Sequence, residues 1–578
     1  MSHPIQMSTP WGLTGETAAL LHNVTHNWLI GIRETNPAIL DMFRDRDKLP
    51  VRDLLSWSGE FAGKYLTGAY YIYQITRDPA LYAYIREFLD EFITYIDPED
   101  GYWGCYPRDC RLTGKNPYHH SPEDYQSCTW DAWSHYHGMM GTYLWYKETG
   151  DARYLAAVEK VAGCFMRYFY NGGRRLMEMG ELFVNLSPLH IFALLYQETG
   201  KPEYLAFCRE VERDVATPGA GEYMRYAEEG REFYQCPQPR WESVHTLLGL
   251  NALGKAVGDE SYLQAVERLF YSILKTDVHN TGAFSTDEQA VGSPFAVGRV
   301  ELCCVIAYNA LAAEILQQTG NSRVADFLEI SFYNAVMGSF SPTGRWSTYN
   351  TPMEGHKNAN YHDINFQCRP GSPDMNCCSA NAARGLGTYA AWAVLEDKST
   401  VYVNSYEAMK LDTASGWQLQ VMGHYPAEGQ VILQAQGLGG RRLALRIPTW
   451  SKQTTVWVDG VCHTPAPGGY FTLDEAEGKT VTLSLDFSPS FMVGQERFAG
   501  RSTVYYGPIL YGYDASLNGQ YPLDGLPEVH REELAGKRPV RQLDGRLTVT
   551  LDNGLVLSDF YRMGSTGCDY TTWIPVVD

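Results

Sequence analysis

No run of consecutive apolar residues in this chain approaches the roughly 18 to 20 needed to cross a bilayer as a helix. The opening, MSHPIQMSTPWGLTGET, lacks the basic, apolar and small-residue regions of a secretory leader. Lys/Arg clusters are missing too, and 47 basic against 67 acidic residues leave a formal charge of −20, which disfavours nucleic acid and anionic membranes as partners. There is no Gly-rich phosphate loop, G-x-S-x-G elbow, H-E-x-x-H helix or dinucleotide fingerprint. Phosphoryl transfer, serine hydrolysis and nicotinamide chemistry therefore have no support in the sequence. The expectation is a soluble, cytoplasmic protein whose 13 cysteines are free thiols or metal ligands rather than a disulfide framework.

What the chain does have is length and aromatic side chains: 578 residues, with 40 Tyr and 14 Trp. That is too long for one ordinary core, and two or three units are expected. A junction recurs between helical patterns: YKETGDARYL (146–155), YQETGKPEYL (196–205), GKAVGDESYL (254–263) and, more loosely, LQQTGNSRVADFL (316–328). In each, an apolar-periodic run ends at a Gly suited to a left-handed helix terminus, and a second run follows. YQITRDPALYAYI (73–85) reads as a Gly-less copy. Repeated helix pairs must stack to bury their faces, and the long irregular insertions favour a closed α/α toroid over an open solenoid.

After about residue 397 the period changes to two. TVYVNSY, WQLQVMGHYP, QVILQAQG, RRLALRIPTW and TVTLSLDF alternate apolar and polar residues between turn signals. The expected organisation is a helical toroid over 1–397, followed by one or two antiparallel β-sandwiches over 398–578.

Two short stretches stand out chemically. Glu301 and Cys303 sit just ahead of an amphipathic helical pattern, and Cys377 and Cys378 precede another that Ser379 could cap. Helix N-termini lower thiol pKa values, so one Glu and three Cys make a four-ligand zinc site conceivable. Buried small hydrophobes are the competing reading, since the CxxC spacing of specific zinc motifs is missing. A disulfide between adjacent cysteines is strained and disfavoured. Asp287 and Glu288 lie in a Gly/Ser/Pro-rich loop leading toward Glu301, where a general acid would have to sit. His135, His137 and His245 fall near helix starts, and Tyr349 and His356 shortly before the cysteines.

Together, SGEFAGKYL, the His-Gly helix before TGD..YL, E-L-C feeding a helix, NCCSANAARG followed by VYVNSY, and a tail with RIPTW and YYGPILY resemble glycoside hydrolase family 127, the β-L-arabinofuranosidases, to which family 146 is close. The resemblance implies an (α/α)6 toroid with β-sandwiches and a Zn2+ ion held by Glu301, Cys303, Cys377 and Cys378. It further implies Cys377 as nucleophile and Glu288 as acid/base, with Asp287 the less fitting neighbour. His137, His245, Tyr349 and Asn185 would contact the sugar. The implied activity is a retaining, exo-acting hydrolysis of β-L-arabinofuranosides or a related pentoside or deoxysugar. An oligosaccharide or glycoside is then the partner, with a homodimer conceivable. This chain departs from the family pattern in having Glu301-Leu302-Cys303-Cys304, only 13 positions from Glu288 to Glu301 (301 − 288), and Asn185 where the family has a His. The alternatives are an inactive zinc-stabilised carbohydrate-binding protein and a toroid lyase or epimerase.

Overall fold

The computed structural model describes residues 1–117, 127–170, 173–359 and 374–578. Its helical body is built from α1 (Gly15–Val24), α2 (Phe61–Thr76), α3 (Pro79–Phe92), α4 (Asp131–Thr149), α5 (Ala152–Phe165), α6 (Pro188–Thr199), α7 (Pro202–Val215), α8 (Ser243–Val257), α9 (Glu260–Thr276), α10 (Leu302–Thr319), α11 (Ser322–Ser331) and α12 (Cys377–Gly387). The even-numbered helices pack in the order α2, α4, α6, α8, α10, α12 and back to α2, closing an inner ring. Helices α3 to α11 of odd number each follow an inner helix and pack outside it, and α1 packs against α12.

Burial separates the two layers. Inner helix α8 is buried at every position from Ser243 to Gly254, whereas outer helix α9 buries Tyr262, Ala265, Val266, Leu269, Phe270 and Ile273, one face at helical spacing. The recurring junctions are the turns between layers. Gly150, Gly200, Gly258 and Gly320 end their helices with φ of 67°, 67°, 70° and 62°, the left-handed region that glycine enters without strain. In the Gly-less copy Arg77 takes the same region at φ 45°. Where α2 crosses α4, a Cβ on Gly63 would stand 2.0 Å from the His137 carbonyl carbon, so only glycine allows that approach.

The β region begins earlier than the sequence suggested, at Val394–Glu396, and recruits the N-terminal strand His3–Pro4. A five-stranded sheet (His3–Pro4, Val394–Glu396, Thr400–Val403, Arg442–Ile447, Gly469–Leu473) and a six-stranded sheet (Val461–His463, Thr455–Val458, Thr480–Ser484, Gln430–Gln436, Gln418–Gly423, Met409–Asp412) share one buried core. Within these two sheets the strands pair antiparallel except that Thr400–Val403 runs parallel to Arg442–Ile447, because the chain visits the facing sheet between them. A further sheet, centred on Ser502–Tyr506, Ile509–Asp514 and Val556–Asp559, has its own core of Val504, Tyr511, Leu547, Val549 and Leu557. Glu354–Gly355 from the helical body pairs with Tyr570–Thr571 at its edge.

Arg446, fully buried, joins the toroid to the first sandwich. Its guanidinium bonds Asp326 and Glu329 of α11, the latter at 2.5 Å, while its Nε donates to the Asn404 carbonyl at 2.7 Å.

Candidate active site

The six inner helices begin at one end of the ring, and a pocket of about 310 Å³ opens there. Its lining comes from just ahead of each helix: Trp57 and Glu60 before α2, Trp130 before α4, Glu181 and Phe183 before α6, Arg240, Trp241 and Glu242 before α8, Glu301 before α10, and Cys377 as the first residue of α12. Glu288 and Tyr349 complete it from loops. Six helix N-termini aimed at one space give it positive backbone potential, and the inward carboxylates answer that potential.

At the pocket floor lie the two stretches singled out in the sequence. Glu301 is the residue preceding α10, in extended backbone bridged to Asn350, and Cys303 lies inside the helix as its second residue. Asn376, rather than Ser379, caps α12: its Oδ1 accepts from Ser379 N at 2.8 Å, and Ser379 Oγ accepts from Asn376 N at 2.9 Å. Asn was the better cap because the cysteines themselves are the first helical turn. This box sets the direction in which Cys377 and Cys378 leave the helix.

The donor atoms of Glu301, Cys303, Cys377 and Cys378 all fall within 4.8 Å of one another, and all four residues are buried. Glu301 Oε1 is 3.5 Å from Cys377 Sγ and 3.4 Å from Cys378 Sγ, and the two sulfurs are 4.0 Å apart. A tetrahedral ion with bonds of about 2.3 Å to sulfur and about 2.0 Å to oxygen has edges of roughly 3.8 Å between sulfurs and roughly 3.5 Å between sulfur and oxygen. The residues therefore fit a metal ion of that size. The 4.0 Å separation is twice a disulfide bond. Cys304 faces the other carboxylate oxygen of Glu301, at 3.8 Å, outside the cluster.

Electrostatics prepares one of these sulfurs to be anionic. Burial acts to raise the Cys303 thiol, but hydrogen bonds from Cys377 and Cys378, the Lys64 ammonium and the Asn381 amide hold it well below the ordinary thiol range. Asn381 Nδ2 lies 3.5 Å and Lys64 Nζ 3.7 Å from its Sγ. Burial pushes Glu301, Cys377 and Cys378 upward, and a bound cation reverses that preference.

Glu288 stands at the pocket wall. Its Oε2 accepts from Arg240 Nη2 at 2.6 Å and its Oε1 from the Tyr349 hydroxyl at 3.1 Å. Arg240 also bonds Glu242, at 2.8 Å through Nη2 and 3.1 Å through Nε. Burial raises the Glu242 carboxyl, which Arg240 counteracts. Asp287 and Glu288 both occupy left-handed backbone, at φ 46° and 67°, a costly conformation for non-glycine residues that is fixed here by Trp241 N bonding the Glu288 carbonyl at 3.1 Å. Asp287 turns outward to Arg299 at 2.8 Å and does not line the pocket.

Other sequence candidates lie elsewhere. His137, in the second turn of α4, and His245, in the first turn of α8, are buried and are not among the pocket's lining residues. Their rings pack edge-on against Trp133, at 4.3 and 4.9 Å between centroids. Asn185 is buried and bonds the carbonyls of Thr129 at 3.1 Å and Gly180 at 2.9 Å, steadying the turn that carries Glu181. His135 accepts from Trp103 N at 2.9 Å, and His356 pairs at the surface with Asp569 at 3.2 Å.

Sequence reasoning assigned no role to Glu60 and Lys64, although both lie in SGEFAGKYL. They form a fully buried ion pair of 2.8 Å one helical turn apart, and the Trp133 indole also donates to Glu60. Burial lifts Glu60 to about 7 against the pull of Lys64. A Glu and Lys four apart in an otherwise apolar helical run was the available signal.

The family model for the β-L-arabinofuranosidase GH127 catalytic domain matches residues 33–391 and that for the GH127 middle domain residues 400–487, so the chain belongs to glycoside hydrolase family 127 and is a glycoside hydrolase. Among solved structures, a GH127 β-arabinofuranosidase superposes with a TM-score of 0.78 at 19% identity, covering 100% of this chain and 98% of that one. A GH127 β-L-arabinofuranosidase from Geobacillus stearothermophilus T6 gives 0.76 at 18% identity, covering 98% of this chain and 100% of its own. At these identities the likeness is one of fold. No curated protein sequence matches the chain. No helix among the described residues is long and apolar enough to cross a membrane.

Proposed function

We propose that the protein is a retaining, exo-acting hydrolase of β-L-arabinofuranosides or a related pentoside or deoxysugar glycoside, with Cys377 as nucleophile and Glu288 as acid/base. The observation that carries this reading is that Cys377 is the one sulfur of the four-residue cluster that also lines the pocket, and Glu288 lines the same pocket. Cys303 and Cys378 are completely buried behind it. The ion we propose for Glu301, Cys303, Cys377 and Cys378 is Zn2+, which would keep the thiols ionised near neutral pH.

In the first step Cys377 Sγ bonds to the anomeric carbon while the bond to the leaving oxygen breaks, and the Glu288 carboxyl supplies that oxygen with a proton. In the second, the Glu288 carboxylate takes a proton from water, the water oxygen bonds to the anomeric carbon, and the carbon–sulfur bond breaks. Two inversions give net retention. Arg240 and Tyr349 hold one Glu288 oxygen each, which fixes its direction through both steps.

The test is Cys377→Ser assayed on an aryl β-L-arabinofuranoside beside a metal determination. Lost turnover with metal still bound supports the assignment. Turnover equal to the parent protein overturns it.

A further inference from the structure

Five carboxylates line the pocket, and four of them are committed to the protein. Glu60 pairs with Lys64, Glu242 and Glu288 share Arg240, and Glu301 faces Cys377 and Cys378. Glu181 differs: among the described residues its carboxylate has no hydrogen bond or ion pair, and feels Arg240, which is bonded to Glu242 and Glu288, only through space. It also sits in left-handed backbone, at φ 44° and ψ 63°, where glycine would make the same turn without strain.

The turn is held independently of that side chain. Asn185 Nδ2 donates to the Gly180 carbonyl at 2.9 Å, and Cys128 Sγ bonds the Met179 carbonyl at 2.9 Å. Beside Glu181, Phe183 packs edge-on against Trp130 at 5.6 Å, and Trp130 lies against Trp57 at 5.4 Å. An aromatic wall with a fixed hydrogen-bond acceptor at its edge is what a sugar ring needs: CH faces for the wall and a hydroxyl for the acceptor. Strained backbone at a pocket, with a side chain that bonds nothing among the described residues, points to a partner from outside them.

We propose that Glu181 is a substrate-binding residue that accepts a hydrogen bond from a sugar hydroxyl and thereby sets specificity for neutral glycosides over uronides. This rests on the glycosidase reading of the pocket but does not depend on which residue is the nucleophile. A carboxylate donates nothing, so a substrate carboxylate at the same place meets repulsion, whereas a hydroxyl completes the bond.

The experiment measures binding and turnover separately. Quenching of tryptophan fluorescence, from Trp57, Trp130 and Trp241 in the pocket, reports Kd for methyl β-L-arabinofuranoside and for its monodeoxy analogues. The unchanged protein should bind one deoxy analogue at least tenfold more weakly than the parent sugar. Glu181→Ala should bind both equally and weakly, the signature of two partners in one bond. In turnover, Glu181→Ala should raise KM at least tenfold with a smaller change in kcat. Glu181→Gln, which keeps shape and an acceptor oxygen, should retain part of the affinity and admit uronides better. Unchanged Kd and KM in Glu181→Ala would overturn the proposal, as would undiminished preference for the same hydroxyl. Sugar binding that is lost in Glu181→Ala while no glycoside is hydrolysed would leave Glu181 assigned and overturn the hydrolytic reading instead.

Discussion

Lys64 Nζ lies 3.7 Å from Cys303 Sγ inside the helical ring, with both residues inaccessible to solvent. The same ammonium is 2.8 Å from Glu60, so a single cation serves a metal-cluster thiol and a pocket carboxylate. Lys64→Ala would leave Glu60 buried and uncompensated, and breaking such a pair costs about 3–5 kcal/mol. Denaturant unfolding of the metal-loaded protein should show that loss, and adding Glu60→Gln should recover part of it.

Asn381 approaches the same sulfur from α12. Groups that orient a metal ligand without touching the metal typically contribute about 10–100-fold in affinity. Asn381→Leu is expected to lower zinc affinity by that factor in a competition titration with a chromophoric chelator, with the fold retained by circular dichroism. Unaltered affinity would mean that Cys303 needs no orientation from Asn381.

For Glu288, replacement by Gln removes the proposed proton donor but not the side-chain shape. Activity on natural glycosides should fall by about 10²–10⁴-fold, the usual contribution of general acid catalysis. Bond cleavage with a nitrophenol leaving group, which departs without protonation, should fall much less when followed as a pre-steady-state burst. Equal losses for both would reduce Glu288 to a structural role.

Arg446 links the toroid to the first sandwich through Asp326 and Glu329. Arg446→Ala strands two buried acids and should destabilise the protein by about 3–5 kcal/mol. Separate unfolding of the helical and β regions should appear as two calorimetric transitions in place of one.

Glu407, between the toroid and the β region, carries the clearest pH dependence. Burial raises its carboxyl to about 8, against the opposing bond from Thr17 at 2.6 Å. Since the folded value exceeds the unfolded one, its contribution is complete below the ordinary carboxyl range and is lost as pH rises toward 8, by about 1.4 kcal/mol per unit across that window. Glu407→Gln should therefore raise Tm at pH 8 while changing it little at pH 5. A Tm gain independent of pH would refute the titration of this group.

Much of this architecture was legible locally. A glycine ending a helix leaves its mark in four adjacent residues, so the junctions at Gly150, Gly200, Gly258 and Gly320 could be found without knowing what the helices pack against. Glu301 with Cys303, and Cys377 with Cys378, were readable as pairs near helix starts for the same reason. Depth was not legible in the same way. His137 and His245 lie near helix starts, as the sequence suggested, yet ring packing turns them against Trp133, outside the pocket lining. Of the two loop acids, the resemblance favoured Glu288, and the structure turns Asp287 to Arg299 and Glu288 to the pocket.

By itself, then, the sequence determined the helical hairpins, the change to strands and the two Glu/Cys and Cys/Cys pairs near helix starts, because each is a matter of backbone preference and side-chain period over a few turns. Only the tertiary structure decided that six helix starts meet at one end of a ring. That closure brings Trp57, Trp130, Glu181, Arg240, Glu301 and Cys377 into one pocket, although they are spread over more than half the chain. No local rule encodes it, since the closing contact between α12 and α2 joins segments about 300 residues apart and depends on the summed packing of every helix between them.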